Sequence, residues 1–413
     1  MGCSKVEKPV EFEPNIVMSL AIEETSDFDM TEAMSTTQQT LLEMFGTPDE
    51  PKLPSLIAEE EDLAGVVDLE KVKLAAGPVS ENGGLYRKHL CVTCHGVTGN
   101  GRGTLGATLA TYPRDYRLGL FKFKSTEGSS KPTKDDLRRI IKNGIPGTGM
   151  DPVPGITDED IDALVEYVIY LSWRGELEYK MLYLAEELFE PLERDDDMSD
   201  EEWAEEQADW AEEQKEWIGD LVIEIAEDWQ FAEDEVFEVP GRPEFPVPET
   251  VAEVVAAEEG SELASSIAAG REVFLMELAS CTKCHGQSGH GDGQGKYFDN
   301  WTEAWTKKLG LDPTDEESLI PYIARGALPP KYINPRDFRD GVFRGGSEPE
   351  DIYRRIACGI CGTPMPAVKG NLKPDQIWQL VNYVRSIAEL EETTAAPATE
   401  VATDEADSGA DAN

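Results

Sequence analysis

The sequence has few basic residues, few histidines and no long hydrophobic run. Its 413 residues include 37 Lys and Arg against 83 Asp and Glu, which gives a formal net charge of −46. This charge argues against binding to nucleic acid or to an anionic membrane through overall charge. No stretch approaches the roughly 20 apolar residues that a membrane-spanning helix requires. With only 4 histidines, the chain also offers few residues to complete zinc sites.

The acidic residues are concentrated in one segment. Residues 175–240 contain 26 acidic and 3 basic residues, which is half of the net charge of the chain. The flanking regions, 84–174 and 262–387, are nearly neutral. The sequence therefore predicts two nearly neutral domains with acidic material between and around them. After residue 387 the chain is rich in Ala, Thr, Asp and Glu, which predicts a disordered tail.

The acidic segment has the pattern of an amphipathic helix. Trp203, Trp210 and Trp217 are spaced by seven residues, so they share one helical face. The same face continues with Leu221, Ile225 and Trp229. We interpret the segment as a long acidic helix whose tryptophan face packs on neighbouring domains or on a second helix. The alternative is a docking helix for a basic partner.

An internal repeat organises the rest of the chain. The paired segments are Cys91–Gly96 with Cys281–Gly286, Pro113–Arg117 with Pro335–Arg339, Arg138–Ile140 with Arg354–Ile356, and Gly144–Met150 with Gly359–Met365. Each copy then closes with a segment whose apolar residues recur at helical spacing. Neither copy contains a convincing alternating strand, so both are predicted to be all-α. The second copy carries 32 additional residues before Pro335, called the insertion below.

Two C-x-x-C-H motifs carry the chemistry of the sequence. Two thiols three positions apart can each bond to one vinyl group of a haem, and the adjacent histidine then faces the iron. The alternatives are a disulfide or a zinc site, which would need two further ligands per motif. The residues are Cys91, Cys94 and His95 in the first copy, and Cys281, Cys284 and His285 in the second.

A methionine occupies the same place in each copy and is the candidate sixth ligand. Met150 and Met365 lie in Gly-, Pro- and Thr-containing loops just before the closing helix. A thioether ligand raises the potential of a haem and leaves no open position on the iron. Lone methionines more often fill a core, but the repeat places one here twice. We therefore predict that both methionines bind iron.

Each half of the chain resembles a class I cytochrome c, and the whole resembles a tandem, di-haem bacterial cytochrome c. The resemblance covers about 84–174 and 262–387, and it rests on the two C-x-x-C-H motifs with Met150 and Met365. It implies two covalently bound haem c groups, proximal ligation by the motif histidines, distal ligation by the methionines, and packing of the first helix on the last. The aromatic residues that match this helix pair are Tyr86 with Tyr167, and Phe274 with Tyr383.

Three smaller signals accompany the haem motifs. Arg114 and Arg336, in the repeated Pro-Arg-Asp segments, are predicted to bind the propionate of the haem in their own copy or to form a surface ion pair. Cys358 and Cys361 form a third C-x-x-C pair without a following histidine, so they are not a third haem site, and a local disulfide between them is left open. His290 is interpreted as a loop histidine and is the substitute ligand should Met365 not bind.

The sequence therefore predicts an all-α chain of five segments with two class I cytochrome c domains joined by an acidic, helical segment. The segments are an N-terminal extension at 1–83, the first domain at 84–174, the linker at 175–250, the second domain at 251–387 and the tail at 388–413. Gly2-Cys3-Ser4 looks like the end of a bacterial lipoprotein signal, so an acylated Cys3 would place the protein in the periplasm on a lipid anchor.

The predicted function is transfer of single electrons between redox proteins outside the cytoplasm, in a respiratory chain, without catalytic residues. The partners are other redox proteins or a respiratory complex, and not nucleic acid. Two alternatives remain open at this stage. One is a di-haem peroxidase-type enzyme with one substrate-accessible iron, and the other is a haem-bearing subunit of a larger respiratory complex.

Overall fold

The computed structural model describes residues 10–26, 28–77, 84–295 and 297–389. The predicted lipid attachment at Cys3 and most of the predicted disordered tail lie outside these residues. The described chain is mostly helical, as predicted, and its strands are Tyr297–Phe298 (β1) and Tyr332–Ile333 (β2), which pair antiparallel. Within the same ranges, no helix has the length and apolarity needed to cross a bilayer.

Sixteen α-helices are present in the described residues, and short 3-10 turns lie between some of them. They are α1 (Ile16–Glu23), α2 (Met30–Phe45), α3 (Leu69–Ala76), α4 (Leu85–Lys88), α5 (Cys91–His95), α6 (Lys134–Asn143), α7 (Asp158–Tyr183), α8 (Ala185–Leu188), α9 (Asp200–Gln230), α10 (Val251–Val255), α11 (Glu262–Leu275), α12 (Cys281–His285), α13 (Asn300–Lys308), α14 (Glu316–Ile323), α15 (Pro349–Cys358) and α16 (Pro374–Ser386). The 3-10 turns are Ser55–Glu59, Gly106–Thr108, Tyr116–Leu118, Ala232–Glu235 and Phe338–Asp340.

Helix α7 is the centre of the first copy. It begins at the N-cap Thr157, whose side chain accepts a hydrogen bond from the backbone N of Asp160 at 3.1 Å, and it runs to Tyr183, past the predicted domain boundary at 174. Most of its length is buried because the N-terminal extension covers the face that the haem-motif region leaves open. Tyr170, for example, donates a hydrogen bond to the backbone oxygen of Phe45 at 2.5 Å.

A buried polar cluster fixes the N-terminal extension to α7. The Glu178 side chain is fully buried and accepts hydrogen bonds from the backbone N of Asn15 at 2.8 Å and from Gln38 Nε2 at 2.7 Å. Arg174, one turn earlier, pairs with Glu178 at 3.2 Å and lies over the ring of Phe12 at 4.2 Å. A buried carboxylate with this many donors is well compensated.

In the second copy, α11 crosses α16 at very short range. Gly270 makes this possible, because a Cβ atom at that position would collide with the backbone oxygen of Gln379. The aromatic pair expected from the resemblance forms in both copies. The ring centroids of Phe274 and Tyr383 are 5.2 Å apart, and those of Tyr86 and Tyr167 are 5.1 Å apart.

The acidic segment is a single helix, α9, as its periodicity predicts. Ser199 and Glu202 form a capping box at its start. The buried face differs from the expected one, because Trp203 and Trp210 are only half-buried and Trp217 is 37% exposed. The buried residues lie instead in the second half of the helix: Ile218, Leu221, Val222, Ile225, Ala226 and Trp229. The first half of α9 therefore contributes no fully buried side chain.

The insertion packs on the N-terminal extension and on the first copy. The Tyr322 hydroxyl donates a hydrogen bond to the Glu24 carboxylate. Lys331 Nζ donates to the backbone oxygen of Leu109 at 2.6 Å and lies 4.2 Å from the centre of the Tyr112 ring. The insertion thereby links the second copy to the first.

Candidate functional site

Each C-x-x-C-H motif forms one helical turn that begins at a strained residue. Leu90 and Ser280, the residues before the two motifs, have φ angles of 60° and 55°. In the described chain they alone, among residues other than glycine, have positive φ. Such left-handed residues are uncommon and concentrate at functional sites. Helices α5 and α12 that follow bring both cysteines and the histidine of each motif onto a single turn.

In the first copy the motif histidine is held in a defined orientation. His95 Nδ1 lies 3.3 Å from the backbone oxygen of Arg114, and the imidazole stacks on the Tyr116 ring at 4.9 Å. A carbonyl oxygen can only accept a hydrogen bond, so Nδ1 carries the proton and Nε2 is left to bind a metal. Burial lowers the pKa of His95 to about 4, which keeps the ring neutral.

The second copy repeats this arrangement. His285 Nδ1 lies 3.3 Å from the backbone oxygen of Arg336, and its ring stacks on Phe338 at 4.6 Å. Burial again lowers the pKa of the histidine. Because Arg114 and Arg336 are equivalent in the repeat, the same backbone carbonyl orients the imidazole in both copies.

The first cysteine of each motif is a largely buried thiol. Burial raises the pKa of Cys91 and of Cys281 to about 11. Across the ranges that the structure covers, no group of three or more His, Cys, Asp or Glu side chains is arranged to hold a metal ion. The cysteines that the structure describes are all free, Cys358 and Cys361 included. Between them Gly359 has a φ of 71° and turns the chain out of α15.

The loops that carry the two methionines have the same hydrogen bonds. In the first copy, the backbone N of Met150 donates to Thr148 Oγ1 at 3.1 Å, and Thr148 Oγ1 donates to the backbone oxygen of Ile145 at 2.7 Å. The second copy repeats both bonds with Met365, Thr363 and Ile360, at 3.2 Å and 2.8 Å. The threonine thus fixes the backbone of the methionine.

Glycines complete these loops, and both methionines are half-buried. Gly144 and Gly359 have φ angles of 65° and 71°, and a Cβ atom at either position would collide with the backbone oxygen of the methionine six residues on. His290, the substitute ligand considered for the second copy, is half-buried in the loop after α12, where its positive charge when protonated contributes to lowering the pKa of Asp337.

The two copies dock against each other through equivalent residues. Arg139 donates a hydrogen bond to the backbone oxygen of Gly345 at 2.9 Å, and its equivalent Arg355 donates to the backbone oxygen of Lys122 at 3.4 Å. Both acceptors lie just after the repeated Pro-Arg-Asp segment. Reciprocal contacts of this kind relate the two copies by an approximate two-fold axis.

Half-buried and buried cations are gathered at this contact. Burial lowers the pKa of Lys122 and of Lys124 to about 8, and it lowers the pKa of Arg355 to about 10. Lys124 donates to the oxygens of Thr126 and to the backbone oxygen of Glu127, all of them neutral. Lys122 pairs with the buried Asp299 at 3.3 Å, whereas Lys124 and Arg355 form no salt bridge within the described residues. Buried cations are costly unless negative charge is close. The contact therefore fits a cofactor that brings carboxylates, as the two propionates of a haem do.

Comparison with known proteins agrees with this geometry. Residues 78–168 match the family described as cytochrome c oxidase, cbb3-type, subunit III, and residues 267–388 match the family described as cytochrome c. The chain carries two cytochrome c domains in tandem. The cofactors of this di-haem cytochrome c are two covalently bound haem c groups, and the Cys pairs at 91/94 and 281/284 fit the two attachment sites. Haem-based electron transfer is the activity that such domains provide.

Two further comparisons were made. No curated protein matches the chain. Among solved structures, a chain of the Kuenenia stuttgartiensis reducing HAO-like protein complex is similar, with 25% sequence identity and a TM-score of 0.44. The similarity covers 74% of the di-haem cytochrome c described here and 94% of that chain.

The sequence prediction missed how the two domains meet. It considered a propionate of the same copy or a surface ion pair for Arg114 and Arg336. In the structure Arg336 lies close to Gly147 of the first domain, and Arg114 lies close to Gly362 of the second. One sequence signal could have predicted this contact, namely the repetition of the Pro-Arg-Asp segment and of the Met loop. Segments that are repeated in both copies are candidates for a contact with approximate two-fold symmetry.

Proposed function

We propose that this di-haem cytochrome c carries single electrons between redox proteins outside the cytoplasm, as part of a respiratory chain. His95 and Met150 would bind the iron of the first haem, and His285 and Met365 would bind the iron of the second. A c-type haem supplies an iron that cycles between the ferric and ferrous states. The observation that carries the proposal is the likeness of the two sites, because both copies repeat the histidine–carbonyl bond and the threonine-braced methionine.

This chain's residues keep each site rigid during the cycle. The backbone oxygens of Arg114 and Arg336 hold the imidazole rings, and Thr148 and Thr363 hold the methionine loops. A site whose ligands are braced in this way needs little rearrangement when an electron arrives or leaves. The docked domains also keep a fixed relation between the two sites, so we expect electrons to pass between them within one molecule.

The partners we propose present basic patches. The first half of α9 is strongly acidic, and its side chains, including Trp203 and Trp210, are exposed or half-buried. Long-range charge of one sign steers an oppositely charged partner into contact and makes the association rate depend on salt. For location, we propose the periplasm with an acylated Cys3, which mass spectrometry of the membrane-extracted protein tests directly.

Optical spectra with a haem count and added carbon monoxide test the electron-carrier function. We expect two haems per chain, an absorption band from the methionine–iron bond and no response of the reduced protein to carbon monoxide. In Met150→Ala or Met365→Ala, one haem should lose the band, bind carbon monoxide and fall in potential, because the thioether no longer stabilises ferrous iron.

Lys142→Gln serves as the control, because it changes an exposed side chain at the end of α6 and keeps both thioethers. Binding of carbon monoxide by the unaltered protein would contradict the proposal. It would show an iron with an open coordination position. The function of a di-haem peroxidase-type enzyme would then replace that of an electron carrier as the proposal. Stable co-purification with a membrane complex would identify the chain as a subunit rather than a free carrier.

A further inference from the structure

Arg114 and Arg336 each have two separate roles, one for the backbone and one for the side chain. The backbone oxygen of each arginine lies 3.3 Å from Nδ1 of the motif histidine in its own domain, His95 or His285. The backbone of each arginine thus belongs to the proximal side of its own haem site. Its side chain runs in a different direction.

Both side chains cross to the other domain. A Cβ atom placed on Gly147 would lie 3.4 Å from Nη1 and Nη2 of Arg336, and one placed on Gly362 would lie 3.6 Å and 3.8 Å from Nη1 and Nη2 of Arg114. Gly147 and Gly362 are equivalent in the repeat, three residues before the methionine of each copy. Each guanidinium therefore lies against the methionine loop of the opposite domain.

A second cation lies near each of these arginines. Lys122 is close enough to Arg114 for the arginine's charge to lower the pKa of Lys122, and Arg344 is related in the same way to Arg336. Lys122 and Arg344 are themselves equivalent in the repeat. Arg344 also donates a hydrogen bond to the backbone oxygen of Gly147 at 2.9 Å. Two neighbouring cations repel each other unless an anion lies between or beside them.

Part of the donor capacity at these positions is unused in the described structure. The Nε atoms of Arg336 and Arg344 are buried and make no hydrogen bond there. The carboxylate beside Arg336 is weakly placed, whereas the one beside Lys122, Asp299, is buried and its charge also acts on Arg114. Asp340 is 3.7 Å from Arg336 and is more than half exposed, and Asp299 lies at 3.3 Å from Lys122. Guanidinium groups in this state favour a carboxylate, which they bind with paired hydrogen bonds.

We propose that each of these arginines binds a carboxylate of the haem held by the opposite domain. Arg114 then acts on the second haem and Arg336 on the first. The proposal deepens the proposed function and rests on it, since it needs two haems that each exchange one electron. A cation beside a haem disfavours the additional positive charge of ferric iron and so raises the reduction potential. Each domain therefore sets part of the potential of the other.

The test is the midpoint potential of each haem in the full-length, haem-loaded protein, measured by spectroelectrochemistry. The two haems are distinguished with Met150→Ala and Met365→Ala backgrounds, whose altered spectrum marks one of them. In Arg114→Gln we expect the second haem to change its oxidised-to-reduced ratio about tenfold at a fixed potential, a fall of about 59 mV. In Arg336→Gln the first haem should fall by a similar amount. The matched control is Arg138→Gln, which removes a half-exposed cation on α6.

Several results would overturn this assignment. These are a larger shift of the haem in the arginine's own domain, equal shifts of both haems, or no shift beyond that of Arg138→Gln. If a glutamine variant does not load haem, Arg114→Lys and Arg336→Lys replace it in the test. Because lysine keeps the positive charge, each of these variants should shift the potential of the opposite haem by less than glutamine does. Failure of the electron-carrier function is a separate result, seen as carbon monoxide binding by the unaltered protein, and it leaves these potentials measurable.

Discussion

The two cytochrome domains share one repeat but differ in what surrounds it. In the first, the Asp115–Arg117 pair is buried, with 11% and 8% of the two side chains exposed. In the second, the equivalent Asp337–Arg339 pair is 25% and 41% exposed. The extension, α7 and α9 enclose the first domain, whereas α16 of the second domain ends at Ser386. A duplicated site can therefore keep its ligand geometry while its solvent exposure, and with it the strength of local charges, changes from copy to copy.

The largest expected effect is on the stability of the first domain, at the buried cluster that joins the N-terminal extension to α7. Glu178→Ala would leave the buried Arg174 without its carboxylate and remove the acceptor for Asn15 and Gln38. Breaking a buried pair in this way costs about 3–5 kcal/mol. Chemical denaturation followed at the first haem should show this loss, while the second haem site should retain its optical spectrum below the transition.

The control for Glu178→Ala is Glu187→Gln, which changes an exposed carboxylate on α8. We expect its free energy of unfolding to stay within about 0.5 kcal/mol of the unaltered protein. Equal losses in the two variants would show that the buried cluster does not set the stability of the first domain.

The next largest expected effect is on the stability of the second domain, at the crossing of α11 and α16. Gly270→Ala would force α11 away from α16, because the new Cβ atom meets the backbone oxygen of Gln379. Overpacking of this kind costs roughly 1–3 kcal/mol. Gly219→Ala in α9 is the matched control, since nothing lies within 4 Å of its Cβ position. It should stabilise the protein by about 0.5–1 kcal/mol, since alanine favours a helix. Thermal denaturation measures both changes in stability. If both variants were more stable than the unaltered protein, or both less stable, the close crossing of α11 and α16 would be refuted.

The smallest expected effect concerns acid stability in the exposed copy. Hydrogen bonding from Arg339 lowers the pKa of Asp337 to about 2. A carboxyl group whose pKa is lower in the folded state contributes stability above its unfolded pKa of about 3.9, and this contribution is lost as the pH falls towards 2. The free energy of unfolding should therefore fall less steeply between pH 4 and pH 2 in Asp337→Asn than in the unaltered protein. Parallel pH profiles of the two proteins would contradict this.

Much of the fold follows from patterns that are local in the chain. The C-x-x-C-H turns, the Thr157 cap and the helical spacing of the closing segments depend on residues a few positions apart, and the structure has each of them. The aromatic pairs Tyr86–Tyr167 and Phe274–Tyr383 also form, although Tyr86 precedes its first cysteine by five residues and Phe274 by seven. The longer connection between α11 and α12 absorbs the two additional residues.

Other features depend on contacts that no local pattern records. The burial of Glu178 is compensated by donors from Asn15 and Gln38, which come from a distant part of the chain. The crossing of Arg114 and Arg336 depends on how two domains dock, and either arginine alone resembles a surface residue. The tryptophan spacing in α9 predicted the helix but not its buried face, because a period of seven residues marks a stripe without showing what covers it.

The contact between the domains also has a consequence for the order of assembly. Two residues of this contact, the acceptor Gly345 and the donor Arg355, come later in the sequence than the first domain, α9 and the insertion. During synthesis from the N-terminus, the first domain is therefore finished long before its counterpart exists. The first cysteine pair is then accessible to the attachment machinery on an undocked domain. We expect docking to be a late step, because it needs both copies.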